Sequence, residues 1–555
     1  MSLVRRAGSR HGWDGRVVRR DASTVGRVAA QTVPSPPLVS PDLALLREDL
    51  TSAVYTVDGI TGRLGDVAAR ALSRDQAVPA RRELGDESDP VAVLLRLFTL
   101  GDAVPVASAA GALPRFGLDR AVALGLLEHA AAGQVRACVD LKPHAVLDEL
   151  GRSAWWVCSD LGELAHGGGA LPTEHVLGVG TASTTLVEAV VPPLRGMRCL
   201  DVGAGSGVQS LHLSRTGPVL VATDVSERAS AFARVTAGLN GVELDVRTGS
   251  MFEAVAGERF DRVVANLPFV VTPRRDDVPT YTYRDAGLAG DDVVRRMLLE
   301  SPLHLRSGGL AQFLGNWEDR ADESWSDRLT GWVDQAAAAL AEASGGADVL
   351  DVWVVQRELA DPALYAEAWI SDGGRPARAE ADAWYRAWLD DFAERGVEAV
   401  GFGIVTLRRR PADPAIPPLR RLDEEHAVIP GAWRDVLAAG LTGHDSLGRV
   451  GAHLDLTALL DTRPVLAPGV VERRELDPGQ ADPRTLHLVD IRCRGRVVEA
   501  STALAGLVGA CDGELSVGQV IAALATLLDT DEAELAASLL PAVRDLVAEG
   551  LLVLP

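Results

Sequence analysis

The sequence predicts an α/β protein built on a mostly parallel sheet of seven strands, flanked on either side by helical units. Three observations carry this expectation. Between residues 198 and 410 short apolar runs alternate with helix-like stretches, the pattern of a parallel sheet covered on both faces. Outside that region the alternation gives way to amphipathic helical patterns with little strand character. The 555 residues exceed one ordinary domain, and 47% hydrophobic with 24% charged residues is a soluble globular balance.

The elements follow in chain order. Residues 1–38 contain Arg5, Arg6, Arg19 and Arg20 and run into Thr32-Val33-Pro34-Ser35-Pro36-Pro37. Too little apolar surface is present there to order the chain, so a disordered tail is expected. A helical N-terminal domain is expected over 39–170, opening at Ser40-Pro41, an N-cap followed by proline, ahead of the Leu43, Leu45, Leu46, Leu50 stripe. Asp89-Pro90 opens a further helix over 91–100; helices at 105–112 and 118–129 and strands at 134–141 and 154–158 come next. Three helices and a two-stranded ribbon read as winged-helix-like. The third helix carries Arg120 against Glu128 and is otherwise apolar, poor material for gripping phosphates, so a packing or substrate-covering role is expected rather than DNA reading.

The seven strands are expected at 199–202, 219–223, 243–248, 262–265, 310–314, 349–355 and 399–407, within a domain spanning 171–411. The last follows a long helix directly, which suits an antiparallel strand; Arg408-Arg409-Arg410 at its end read as a solvated strand end. Residues 411–418 are proline-rich and read as a linker into a C-terminal domain, 412–555. That domain closes with helices at 520–528 and 532–549 and a strand at 551–554, a second winged-helix-like unit whose acidity favours a protein contact.

A formal net charge of -22 disfavours broad binding to polyanions, though not a local basic groove. Cys138, Cys158, Cys199, Cys493 and Cys511 form no C-x-x-C pair, and His166, His175 and His304 have no ligand spacing. Neither a disulfide framework nor a metal is therefore expected. No apolar run reaches the roughly 20 residues that cross a bilayer, and the start lacks a signal peptide's apolar core. A cytoplasmic protein without membrane contact is expected.

Three strand ends carry the chemistry. Asp201-Val202-Gly203-Ala204-Gly205-Ser206-Gly207 closes the first strand, Asp224 the second and Asn266-Leu267-Pro268-Phe269 the fourth. A glycine-rich turn after a parallel strand lets backbone N–H groups approach a ligand. A dinucleotide site asks for G-x-G-x-x-G, but Val208 stands three after Gly205. S-adenosylmethionine (SAM) presents an ammonium where NAD has phosphates, and Asp201 offers that ammonium a negative partner. Asp224 can accept both hydroxyls of an adenosine ribose. Taken singly, the turn is as well a structural or nucleotide turn and Asn266–Phe269 a strand-ending turn; together they describe a SAM pocket and a clamp for an NH2 group.

With these motifs, residues 175–410 resemble the class I SAM-dependent methyltransferases, in particular the small-domain N-methyltransferases that act on glutamine amides or on exocyclic amines of RNA and DNA bases. The resemblance implies a Rossmann-like sheet and SAM as cofactor, with Asp201, Gly203, Gly205, Gly207, Asp224, Ser250, Met251 and Asn266 as cofactor-binding residues. It implies too that the segment His175–Thr185 closes over the methionine end of the cofactor. Ser250 departs from the acid often found there, while the backbone N–H of Met251 can still serve the adenine ring.

An amide or aromatic NH2 is a poor nucleophile because its lone pair is delocalised. The Asn266 side-chain oxygen and the Leu267 carbonyl can each accept one N–H, steering the lone pair and stabilising positive charge as it grows. Pro268 fixes the chain, and Phe269 stacks on a flat group. Asn266, Pro268 and Phe269 are thus the catalytic candidates; Leu267, Phe269, Tyr281 and Tyr283 are the substrate-binding ones, the tyrosines lying in a lid-like loop to Asp291. Net acidity leans the acceptor toward a protein glutamine. Leu267, where glutamine enzymes often carry proline, favours the alternative, an RNA base amine, adenine N6 or guanine N2. A SAM-binding regulator and an NAD-dependent oxidoreductase are the rival classes.

Overall fold

A computed structural model describes residues 42–555 apart from 86–88, 163–164, 166–170, 276–277, 279, 282–283, 286, 373–377, 426–432 and 492–496. The expected tail, the Ser40-Pro41 start, His166, Tyr283 and Cys493 lie outside the described residues.

Among the described residues, the central unit opens with helix α1 (Thr181–Ala189). Strand β1 (Arg198–Val202), helix α2 (Val208–Ser214), β2 (Val219–Asp224), α3 (Glu227–Asn240), β3 (Asp245–Thr248) and β4 (Phe260–Ala265) follow. Next come β5 (Leu305–Arg320), β6 (Asp348–Ala360), the helix pair α4 (Pro362–Asp372) and α5 (Arg378–Glu394), then β7 (Val397–Pro411) and β8 (Arg420–Glu424).

The strands form one sheet in the order β8-β6-β7-β5-β4-β1-β2-β3. Strands β1 to β5 pair in parallel, β7 runs antiparallel to both β5 and β6, and β8 adds parallel to β6. The expected seven strands are present, β7 has the expected direction, and an eighth extends the sheet beyond the proline-rich segment.

That eighth strand explains the arginine run, which is not a solvated strand end. Arg409 and Arg410 are buried. Arg408 and Arg410 donate to Asp351, Arg409 to Asp348, and Arg410 also to the carbonyls of Ile416 and Pro417. Asp351 accepts the N–H of Leu419 as well, so buried ion pairs fold the segment back and lead it into β8. Further along β7, a Cβ at Gly401 or Gly403 would stand 2.5 Å or 2.7 Å from the Trp317 indole. The two glycines clear space for that ring, while Phe402 between them points to the other face.

The N-terminal region is mainly helical through Ala123, with a short strand at Val104–Pro105. The third helix expected in it stops there because Gly125 adopts φ +70, and the chain enters strand Leu127–Ala130. A hairpin of Asp140–Asp148 and Gly151–Ser159 packs on α3: Asn240 accepts the N–H of Trp156, and Thr236 that of Cys158. Ala229, Phe232, Val235 and Leu239 of α3 belong to the N-terminal core, so this helix serves two layers.

On the C-terminal side, helix α6 (Trp433–Arg449) places Trp433, Val436 and Leu437 in the core of the sheet and Leu447 in the core of the last unit. That last unit contains helices Val517–Leu528 and Glu532–Ala548, the first closed by a Ser516–Gln519 capping box.

Candidate active site

The glycine turn is held by the end of β2. The N–H groups of Gly203 and Ala204 both donate to the Thr223 carbonyl, at 2.8 and 3.0 Å, and that of Gly205 donates to the Asp224 carboxylate at 2.9 Å. Gly203, Gly205 and Gly207 all have positive φ, a region where a side chain is strained. A Cβ at Gly203 would stand 2.6 Å from Leu267 Cδ2, whereas one at Gly205 would meet nothing within 4 Å. The turn therefore packs against the clamp on one side and borders open space on the other.

Asp201 is 1% exposed. Its Oδ2 accepts the N–H and the hydroxyl of Ser210 in the first turn of α2, capping the helix from outside it. Its Oδ1 is buried and has no partner among the described residues. Burial raises the carboxyl to about 6, against the lowering effect of Ser210. Asp224 is also raised by burial, opposed by backbone N–H bonds that include those of Ser226 and Gly205. Ser226 N–H donates to one of its oxygens and Gly205 N–H to the other, and the carboxylate keeps further acceptor capacity.

Met251 has φ +48, and its carbonyl accepts the Thr223 hydroxyl. Ser250 is half-buried, with its N–H directed to Glu253. The segment before α1 is pinned from two sides: Asp160 accepts the N–H of Val176 and the guanidinium of Arg228 on α3.

At the end of β4, strand pairing stops at Ala265. The Asn266 amide nitrogen donates to Ser183 Oγ of α1 at 3.2 Å. This orients the amide so that Oδ1, with no partner among the described residues, is the free acceptor. The Ser183 carbonyl is itself held by Gln209 of α2. Phe269 sits 5.4 Å from Phe402 and 6.4 Å from Trp369 between ring centroids.

Tyr281 is not an open stacking surface. It is 1% exposed, and the Arg284 guanidinium covers its ring at 4.5 Å. Asp285 accepts the Tyr281 N–H and pairs with Thr272, so the ring belongs to the packed base of the loop. Ser183, Phe402 and Trp369 went unassigned to the clamp on sequence grounds. The concentration of Tyr365, Trp369, Trp384, Tyr385, Trp388 and Phe392 within 362–394 was the available signal. Among the described residues no group of three or more His, Cys, Asp or Glu could hold a metal ion, and no helix is long and apolar enough to cross a membrane.

The groups left unspent suit SAM: a buried carboxylate oxygen for an ammonium, an acid at the end of β2 for a ribose, and open space over Gly205. A sheet of this strand order with this set of strand ends defines a class I SAM-dependent methyltransferase fold. Residues 177–327 match the family model of the methyltransferase small domain, and residues 52–138 that of a domain of unknown function (DUF7059).

The relatives include the ribosomal RNA small subunit methyltransferase C of Escherichia coli K12 / DH10B and that of strain O157:H7 EC4115. Each is 30% identical over 154 residues, 27% of this chain. The match spans 40% of those relatives' length. Among solved structures, the T. thermophilus 16S rRNA N2 G1207 methyltransferase with AdoMet and guanosine is 17% identical. It covers 45% of this chain and 64% of its own, at a TM-score of 0.25.

Proposed function

We propose that this protein transfers a methyl group from SAM to a planar NH2 group, and that the acceptor is an exocyclic base amine in RNA. The observation that carries the transfer reading is the Asn266 amide, whose nitrogen is tied to Ser183 while its oxygen has no partner among the described residues. SAM, when bound, supplies a methyl group on a sulfonium that is open to in-line displacement.

Asn266 Oδ1 and the Leu267 carbonyl accept the two N–H bonds of the acceptor and direct its lone pair. With SAM bound, the N–C bond would form as its C–S bond breaks and the acceptor's extra proton would leave to water, so no residue is asked to act as general base. Asp201 Oδ1 and Asp224 would hold the ammonium and ribose ends of the cofactor, with the Met251 N–H toward the adenine. Leu267 packs over Gly203, which keeps the clamp in register with the glycine turn.

The likeness to ribosomal RNA methyltransferases supports RNA over a glutamine side chain as the acceptor, and Leu267 in the clamp agrees with that preference. Tritiated SAM supplied to the full-length protein with cell extract tests the reading. Label that withstands protease and is lost to nuclease is expected; label lost to protease would return the acceptor to glutamine. Calorimetry with SAM and NAD side by side tests the cofactor.

A further inference from the structure

We propose that Trp369, on the helix pair inserted between β6 and β7, is a second stacking surface for the acceptor and selects a flat heteroaromatic amine over an aliphatic amide. This rests on the methyl-transfer reading above. Helix α4 begins directly after β6, and its Tyr365 hydroxyl accepts the N–H of Val271, two residues beyond Phe269. Asn316 of β5 donates to the same hydroxyl, so α4 is fixed to the chain that leaves the clamp.

One turn along α4, the Trp369 ring meets Phe269 edge-on, with 77° between the planes. Phe402 lies on β7 at 51° to Phe269. Trp369 and Phe402 are both only half-buried, in a protein that buries Trp317, Trp353 and Trp388 to 2% exposure or less. Trp369 and Phe269, nearly at right angles, form a corner in which Phe269 is 8% exposed and Trp369 is the more open wall. A flat ring stacked on one presents its edge to the other, an arrangement aromatic groups favour. A glutamine side chain, reaching the clamp through methylenes, has no use for a second aromatic face.

The corner is also held in place from the loop. Arg284 donates from its side chain to the Trp369 carbonyl and accepts at its own carbonyl the N–H of Val270. Clamp, loop and helix pair therefore meet at one residue.

The test is tritium transfer from SAM to deproteinised small-subunit ribosomal RNA by the full-length protein, with SAM affinity measured in parallel. Base stacking of ordinary strength predicts that Trp369→Leu raises KM for the RNA about tenfold or more, with kcat changed less than threefold and SAM affinity unchanged. Trp369→Phe, which keeps a ring, is expected to return KM to within about threefold of wild type. If wild type labels the RNA and Trp369→Leu shows an unaltered KM, this assignment falls while the transfer reading stands. If wild type leaves the RNA unlabelled, the reading beneath falls and takes the assignment with it.

Discussion

Asn266 and Asp201 show how far a single side chain commits the site. Asn266 has two polar ends, and Ser183 takes the nitrogen, which leaves only an acceptor for the incoming amine. Asn266→Ala is expected to lower kcat by a factor of about 100 to 1,000, the scale of a lost preorganised partner. SAM affinity measured by calorimetry in parallel separates a lost acceptor for the incoming amine from a lost contact to the cofactor. Asp201 is raised to about 6 by burial, above its ordinary 3.8. The folded chain therefore keeps a proton that the unfolded chain has released, and this carboxyl's contribution to stability falls as pH rises between about 4 and 6. A bound ammonium favours the ionised form, so SAM binding should expel that proton. Affinity is expected to weaken about tenfold from pH 7 to pH 5, and Asp201→Asn should flatten that slope.

The hairpin of residues 140–159 and helices α1, α2 and α6 are joined by contacts that no local pattern announces. Asp148 accepts from Arg215 through both oxygens at 2.7 Å and from Arg434 of α6 at 3.2 Å, and this holds its carboxyl down at about 2. Arg215 and Arg434 are 5% and 9% exposed at their side chains. Asp148→Ala would leave two buried cations short of their shared anion. The expected cost is about 3 kcal/mol, seen as a lowered Tm. Arg215→Ala should cost less than that, because Arg434 would stay within reach of Asp148 and Glu149. The strands themselves were legible because buried parallel strands write continuous apolar runs. The end of the third N-terminal helix was misplaced for a local reason: Gly125 takes a left-handed conformation, and a glycine alone does not declare which φ it adopts.

At the scale of the whole molecule, α6 and β8 make the sheet and the C-terminal unit one packed body. Gly440 of α6 lies against the Trp353 ring of β6, and Gly443 against the Val547 carbonyl of the last helix. A chain ending at Pro411 is expected to lose β8 and to expose the surface covered by Trp433, Val436 and Leu437. At about 2 kcal/mol for each buried side chain, it should unfold well below the full chain by calorimetry. An equal Tm would mean that α6 adds nothing to the sheet. The sequence by itself determined seven of the sheet's eight strands, their direction and the three motif-bearing ends. Spacing along a parallel strand fixes where its carboxyl end falls, and glycine, aspartate and proline act on their immediate neighbours. Only the tertiary structure decided that Ser183 orients Asn266, that Arg408–Arg410 turn inward to Asp348 and Asp351, and that Trp369 comes to stand beside Phe269. Those partners lie tens to a hundred residues apart, and which of many possible pairs form is settled by how whole elements dock, a choice no local pattern encodes.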